Sequence, residues 1–244
     1  MPTGPGEILK WDSRFFKKTI GRLNSREIDQ AAFRAICSWA RQNAMDCLYF
    51  LSRKKQLPFA PQQSEFFFYY LGRRVLLEKN PGAGTATHRS PGPFTIRPVQ
   101  PSDIDSLEKI SRQAFRETRF FKDPHLPEKK CQQLYGTWIK KSCRGMAERV
   151  LVAWGPQLPV GFITCHLLGP GEGQIGLLAV SETHRGRGIG GALLSESFDY
   201  FKNNGVKRLK VVTQADNQSG LNLYLKMGFK KKNLAYWYHI WREL

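Results

Sequence analysis

One stretch of the chain combines residue types and spacing that could do chemistry: Arg185-Gly-Arg-Gly-Ile-Gly-Gly191, where four glycines interleave with two arginines. It follows an apolar run that ends at Val180, and it opens onto a segment whose Leu194, Phe198 and Phe201 fall on one helical face. Glycines carry no Cβ to hold an anion at a distance, and the unpaired amides at a helix start point toward it with the favourable sign of the dipole. The chemistry implied is the cradling of a diphosphate. Gly186, Gly188 and Gly191 also match the G-x-G-x-x-G spacing of dinucleotide folds. That fingerprint belongs after the first strand of a βαβ unit, with an acidic residue about 20 positions on. Here the loop follows a strand hairpin, and the next strand is rich in Lys and Arg.

A loop of this kind works only if a strand and a helix hold it, and the surrounding pattern supplies both. A Pro/Gly-rich linker at residues 81–93 separates two segments with their own periodicity. Residues 1–80 read as a smaller N-terminal α/β module. Ile28, Ala32, Ile36 and Trp39 recur at helical spacing after Ser25, a candidate N-cap, residues 47–51 form a short strand, and Trp11, Phe15 and Phe16 are core anchors. In residues 94–244 a strand at 94–97 precedes a helix capped by Ser102, with Asp103 and Asp105 in its first turn and Ile104, Leu107, Ile110 and Ala114 as its buried stripe. After a Pro-punctuated loop at 118–127, a second helix carries Cys131, Leu134, Tyr135 and Trp138. Strands at 150–154, 160–168 and 174–180 lead to a helix at 190–203, a strand at 208–213, a helix at 217–227 and an aromatic tail at 229–241. Hairpins in the middle and β-α-β at the end predict an α+β protein with a sheet of mixed direction.

Composition narrows the function classes. The 244 residues are 41% apolar and 24% charged, which excludes a disordered chain, a fibre and a disulfide scaffold. No apolar run approaches the roughly 20 residues of a membrane span. The first twenty residues hold Glu7, Lys10, Asp12, Arg14, Lys17 and Lys18 and no signal-like apolar core, and five widely spaced cysteines fit reduced thiols, so a cytoplasmic protein is expected. Five scattered histidines, with no i, i+4 pair and no Cys cluster, argue against a metal. The net charge is +18, with 15 basic and 7 acidic residues before Pro93 and 23 and 13 from there on. So even a spread favours small polyanions such as nucleotides and coenzymes over a nucleic acid, which calls for a concentrated basic stripe.

Arg185-Gly-Arg-Gly-Ile-Gly190 matches an R/Q-x-x-G-x-G/A signature, and Asn217-Gln-Ser-Gly-Leu-Asn-Leu-Tyr-Leu-Lys-Met-Gly-Phe229 matches N-x-x-A-x-x-L-Y-x-x-x-G-F. In these two motifs, in this order, the chain resembles the GNAT N-acetyltransferases over about residues 94–241. The resemblance implies the GNAT fold, a mixed, mostly antiparallel central sheet flanked by helices, and acetyl-CoA as the acetyl donor. It implies that the backbone of Leu178, Ala179 and Val180 pairs with the pantetheine arm as a further strand. Arg185, Gly186, Arg187, Gly188, Ile189, Gly190 and Gly191 would hold the pyrophosphate, with Asn217 a further coenzyme contact. Gly220 stands where the family usually has Ala. The resemblance also makes Tyr224 the acid that protonates the departing thiolate. Transfer from a phenol near pKa 10 to a thiolate near 8.5 is uphill by only about 2 kcal/mol. The spacing of Tyr224 with Leu221 and Leu225 fits a core tyrosine as well. Glu172 and Glu182 are the carboxylates to consider as a base, and both read as solvated. A water chain, or direct attack by an amine of depressed pKa, is therefore expected, with the oxyanion held by amides near residues 178–180.

Trp11-Asp-Ser-Arg-Phe-Phe16, Thr118-Arg-Phe-Phe-Lys-Asp-Pro124, Tyr135-x-x-Trp-Ile139 and Ala235-Tyr-Trp-Tyr238 together look like the dTDP-fucosamine acetyltransferases, with Lys17 where Gly is expected. Those enzymes acetylate the 4-amino group of dTDP-4-amino-4,6-dideoxygalactose for surface polysaccharides. This resemblance implies a nucleotide-activated amino sugar as acceptor, and Arg119, Phe120, Lys122 and His125 become candidate substrate contacts. An ordinary basic surface loop fits those four residues nearly as well. A protein lysine or N-terminal amine is the alternative acceptor. A non-catalytic nucleic-acid-binding relative is the remaining alternative, and a homodimer is compatible with the sequence.

Overall fold

The computed structural model describes residues 4–57, 65–83 and 92–243. Most of the stretch expected as a linker, residues 84–91, lies outside them. In chain order the elements are β1 (Gly6–Ile8), α1 (Lys10–Phe16), β2 (Ile20–Leu23), α2 (Gln30–Gln42), β3 (Cys47–Ser52), β4 (Phe66–Lys79), β5 (Thr95–Pro98), α3 (Ile104–Ala114), α4 (Arg119–Lys122), α5 (Glu128–Lys141), β6 (Arg149–Trp154), β7 (Pro159–Gly169), β8 (Glu172–Val180), α6 (Ile189–Asn203), β9 (Arg208–Gln214), α7 (Gln218–Lys226) and β10 (Lys230–Arg242). The α+β class is the one the sequence predicts.

All ten strands join one sheet in the order β1-β2-β3-β10-β4-β9-β8-β7-β6-β5. Only β2/β3 and β8/β9 run parallel, each pair joined through a crossover helix, α2 or α6. Strands from both sides of residues 81–93 interleave: β4 lies between β10 and β9, and β10 between β3 and β4. The order is symmetric about the β10/β4 pair. β1, β2, β3 and β4 occupy places equivalent to β7, β8, β9 and β10, with matching strand directions. The two halves have thus exchanged their last strands.

Helices cover the sheet as their apolar stripes dictate. Ile189, Leu193, Leu194, Phe198 and Phe201 of α6 and Leu221 and Tyr224 of α7 pack on Ile163, Ile175, Leu209 and Val211. Leu107 and Ile110 of α3 and Ile139 of α5 close over Val150, Val152, Phe162 and Ala179. Phe33, Ile36 and Ala40 of α2 pack on Leu48, Phe50, Tyr238 and Ile240. A fourth cluster, rich in aromatics, joins Phe16 of α1, Phe120 of α4 and Tyr135 of α5 to Tyr49 and Trp241.

Two expected caps move. Ser25 closes a short turn onto Glu27, and Asp29 caps α2 by accepting the Ala32 N–H at 2.8 Å. Ser102 lies inside a 3-10 turn, Pro101–Asp103, that precedes α3. The fully buried Asp103 organises that corner, taking Arg97 at 2.7 and 2.9 Å and the Gln100 N–H at 2.8 Å. A carboxylate with a bidentate arginine to satisfy it displaces the weaker serine cap.

Candidate active site

The site begins where two parallel strands part. β8 and β9 are in register from Glu172↔Arg208 to Ile175↔Val211 and no further. β8 continues on its other edge against β7, where Ile163 faces Leu178, Phe162 faces Ala179 and Gly161 faces Val180. Between Cys165↔Ile175 and Ile163↔Leu178 one extra β8 residue is accommodated, a bulge at Gly176 and Leu177. The Leu177 N–H turns inward to the Thr164 hydroxyl at 2.8 Å. Residues 178–180 therefore pair with β7 and have no pairing with β9 on their other edge.

The glycine loop closes the wide end of this gap. After Val180 comes a 3-10 turn, Glu182–His184, held by the His184 ring against the hydroxyls of Ser181 at 2.8 Å and Thr183 at 2.9 Å. Gly186 and Gly188 have φ of 77° and 76°, the left-handed region where a Cβ is penalised. Gly188 is the N-cap of α6, and its carbonyl accepts the first helical bond, from Ala192 at 3.0 Å. Helix geometry leaves the amides of Ile189, Gly190 and Gly191 without intrahelical acceptors. α2 and α7 cover this position with the side chains of Asp29 and Asn217, whereas α6 has no side-chain cap and no acidic residue in its first turn. Arg185 and Arg187 are exposed beside it; Arg185 Nε reaches the Val180 carbonyl at 3.3 Å and Arg187 that of Thr183 at 3.2 Å. The terminus is uncapped by any side chain and flanked by positive charge. The glycine fingerprint proves to be this turn and not the first turn of a dinucleotide fold.

The two other expected coenzyme-side residues sit on or before α7. Gly190 lets α7 approach, since a Cβ there would lie 3.0 Å from Leu223. Next to it Tyr224 is 6% exposed and packs edge-on against Phe229 at 5.5 Å, and burial pushes its phenol pKa above the ordinary range, so it carries its proton at any physiological pH. Asn217 uses its side chain inside the fold: Oδ1 accepts the Gly220 N–H at 3.1 Å, and Nδ2 donates to Thr213 at 3.2 Å. A Cβ at 220 would meet that Asn217 amide at 2.6 Å, which explains the glycine.

On the α5 side of the bulge lies a hollow of about 210 Å³ lined by Trp138, Ser142, Met146, Thr164, His166, Gly176 and Leu177. The His166 ring occupies the place a Cβ on Gly176 would need, 2.5 Å from Nε2. Burial pushes its pKa below the usual 6.5, against the opposing pull of the Glu148 carboxylate 3.9 Å away, so the imidazole is neutral near pH 7. The two carboxylates weighed as bases stand elsewhere. Glu172 is held by Arg208 and by Lys210 at 2.6 Å at the paired end of the strands, and Glu182 lies exposed at the start of the loop's turn. His166 sits on a strand that shows only apolar alternation, so nothing local in the sequence distinguishes it.

The four loop residues expected to meet a substrate are not brought together on the surface. Phe120 is 3% exposed, in the aromatic cluster with Tyr49, Tyr135 and Trp138. Arg119 lies half-buried with its guanidinium about 4 Å from the rings of Tyr49, Phe120 and Trp237, and it donates to His239 Nε2 at 2.6 Å. The other nitrogen of His239 donates to Asp123, which also accepts the Trp241 indole N–H and the His125 amide, each at 2.9 Å. His239 thus carries its proton on Nδ1, and burial together with the Arg119 charge pushes its pKa down to about 4. Burial alone would raise the Asp123 pKa, but these donors hold it below the ordinary carboxylate value. His125 stacks on Trp241. Lys122 alone of the four reaches into an open cavity, where it pairs with Asp216 at 2.5 Å.

Comparison with known proteins was made on this geometry. A family profile described as Acetyltransferase (GNAT) family matches residues 104–229. The spore coat polysaccharide biosynthesis protein SpsD of Bacillus subtilis (strain 168) is 26% identical over 173 residues, 71% of this chain and 58% of that protein. The dTDP-fucosamine acetyltransferase of Escherichia coli O6:H1 is 28% identical over 142 residues, 57% of this chain and 60% of that one. The chain spans about three fifths of the length of these curated relatives. Among solved structures, a GCN5-related N-acetyltransferase from Sphaerobacter thermophilus superposes over 98% of this chain and 76% of its own with a TM-score of 0.68 at 17% identity, a likeness of fold.

Proposed function

The chain belongs to the GNAT acetyltransferase family, and on that footing we propose that it is an acetyl-CoA-dependent N-acetyltransferase whose acceptor is the amine of a nucleotide-activated amino sugar. The observation that carries the reading is the gap between β8 and β9, ending at an α6 terminus that has no side-chain cap. A pantetheine arm is an extended amide chain, and the edge of residues 178–180 can pair with it as with a strand. The amides of Ile189, Gly190 and Gly191, with Arg185 and Arg187 beside them, suit its diphosphate. Acetyl-CoA supplies the activated acyl group.

This chain's own groups do the rest. The bulge stops strand pairing at Gly176, so the reacting end of an arm running down the gap halts beside the hollow that holds His166. The neutral imidazole is the base that removes the amine's proton, at Nε2, once the nitrogen attacks. Tyr224, protonated and desolvated, gives its proton to the departing thiolate. The sugar-nucleotide acceptor is supported by the likeness to a dTDP-fucosamine acetyltransferase and by a basic cavity beyond the end of β9. To test the reading, the purified protein is titrated with CoA in a calorimeter and then supplied with acetyl-CoA and a panel of dTDP- and UDP-linked amino sugars, free amino sugars and peptides. Association with CoA and release of free thiol only with the amino-sugar nucleotides are expected. Acetylation of peptides alone would move the acceptor to a protein amine, and absence of CoA binding would remove the assignment.

A further inference from the structure

Beyond the end of β9 lies a cavity of about 510 Å³ whose walls come from five separate places in the chain: Lys55 after β3, residues 70–73 of β4, Lys122 of α4, Asp216 before α7 and Tyr236 of β10. We propose that this cavity seats the diphosphate of a nucleoside diphosphate acceptor, with Lys55, Arg73 and Lys122 as its counter-ions and the faces of Tyr70 and Tyr236 as its walls. The proposal rests on the N-acetyltransferase reading above and assigns that enzyme its acceptor subsite.

Charge is the first argument. Among the lining residues three cations face one carboxylate: Lys122 at 2.5 Å and Arg73 at 3.8 Å share Asp216, Lys122 also lies 3.9 Å from Glu117 outside the cavity, and Lys55 extends its Nζ over the Tyr70 ring at 5.7 Å. The walls keep a positive surplus in a concave space, where it attracts small polyanions more strongly than on an open surface. Backbone shape is the second. β4 bulges here, with Tyr238 facing Tyr70 and Trp237 facing Gly72, so Leu71 has no opposite number. Gly72 takes φ 113°, and a Cβ on it would project to 3.7 Å from both Asp216 Oδ2 and Lys122 Nζ. Glycine therefore permits the turn and also keeps the space beside the ion pair empty. Volume is the third, since this space falls within the range of small-ligand sites and the hollow at His166, less than half as large, does not.

Position completes the case. β8 and β9 separate after Val211, and Asp216 lies five residues farther along the same strand direction. β9 stays extended for three of these residues, to Gln214, before the turn that holds Asp216, so at the rise of an extended chain the separation is roughly 10 Å, the scale of a sugar joined to a diphosphate. An acceptor with its phosphates in the cavity can bring its amine to the bulge without entering the coenzyme's gap. Tyr70, 43% exposed, offers a ring face that no neighbouring element covers fully, as stacking against a base or sugar requires.

The test is direct binding to wild-type protein saturated with CoA, so that the α6 terminus is already filled and cannot take the probe. Calorimetric titration with dTDP and with UDP is expected to show association, and inorganic pyrophosphate is expected to compete. Lys55→Gln and Arg73→Gln each weaken dTDP binding at least tenfold, while the Kd for CoA and the melting temperature stay at wild-type values. Asp216→Asn, which removes the one negative wall, tightens dTDP binding, a change of sign that general damage to the cavity would not give. Wild-type dTDP affinity in the two cation variants, weaker binding in Asp216→Asn, or no dTDP binding by the CoA-loaded protein overturns the seat. Each of these results leaves acetyl transfer intact, whereas failure to bind CoA at all is the failure of the enzyme reading.

Discussion

At the residue scale two protons must move, and two side chains held in uncharged form stand ready. Tyr224→Phe removes a donor whose pKa burial has raised, and it leaves a ring of the same shape against Phe229. Steady-state assays are expected to show kcat lower by about a hundredfold with the KM for acetyl-CoA nearly unchanged; near-normal turnover would return Tyr224 to a packing role. His166 makes its own signature in pH. The amine must be neutral to attack, so log(kcat/KM) falls with unit slope below the amine's pKa. A base that titrates lower adds a second unit below the usual imidazole value of 6.5, because burial shifts His166 downward. His166→Gln is expected to keep unit slope to the acid end of the profile. Tyr224 stood out as a candidate because it sits inside a local motif. His166 was not, because its meaning comes from Gly176 across a strand pair and from helix α5 above it.

At the scale of elements, what matters is which helix starts are occupied. α6 leaves its first amides open, and Gly188→Ala forces a Cβ into the left-handed region at a cost of about 1–2 kcal/mol. The turn is expected to shift and the Kd for CoA to rise about tenfold, with the circular dichroism spectrum unchanged. α4 is fixed in a different way. Its C-terminal Asp123 is an acceptor for His239, Trp241 and the His125 amide, so it ties a four-residue helix to β10. Asp123→Ala strands those donors inside the protein and is expected to cost about 3–5 kcal/mol in urea unfolding. The glycine turn could be read from sequence because strand, bend and helix are consecutive. The Asp123 network could not, since Asp123 is separated from His239 and Trp241 by more than a hundred residues, and Arg119 read as a candidate substrate contact for the same reason.

At the scale of the whole molecule, the element that sequence patterns passed over is the one that unites it. Phe66–Lys79 shows no clean alternation, because its first half is apolar almost throughout, exposed Phe67 and Tyr70 included. The helices and strands after residue 94 were otherwise read nearly to their ends, and the fold class with them. What could not be read is that β4 enters between β9 and β10. Residues 92–244 produced alone are expected to lack a cooperative thermal transition, since β9 then loses β4 and β10 loses both of its partners, β3 and β4. Adding residues 1–83 as a separate chain is expected to restore it, and a sharp melt from 92–244 alone would contradict this dependence.

That exchange of strands also sets a timetable for synthesis. The partners of Phe66–Lys79 are Arg208–Gln214 and Lys230–Arg242, strands that leave the ribosome more than a hundred residues later. For most of translation an aromatic segment waits with both edges bare, a template for pairing with a neighbouring nascent chain. The sheet acquires its centre only once residue 242 has emerged, so a ribosome that stalls before then releases a chain without its middle.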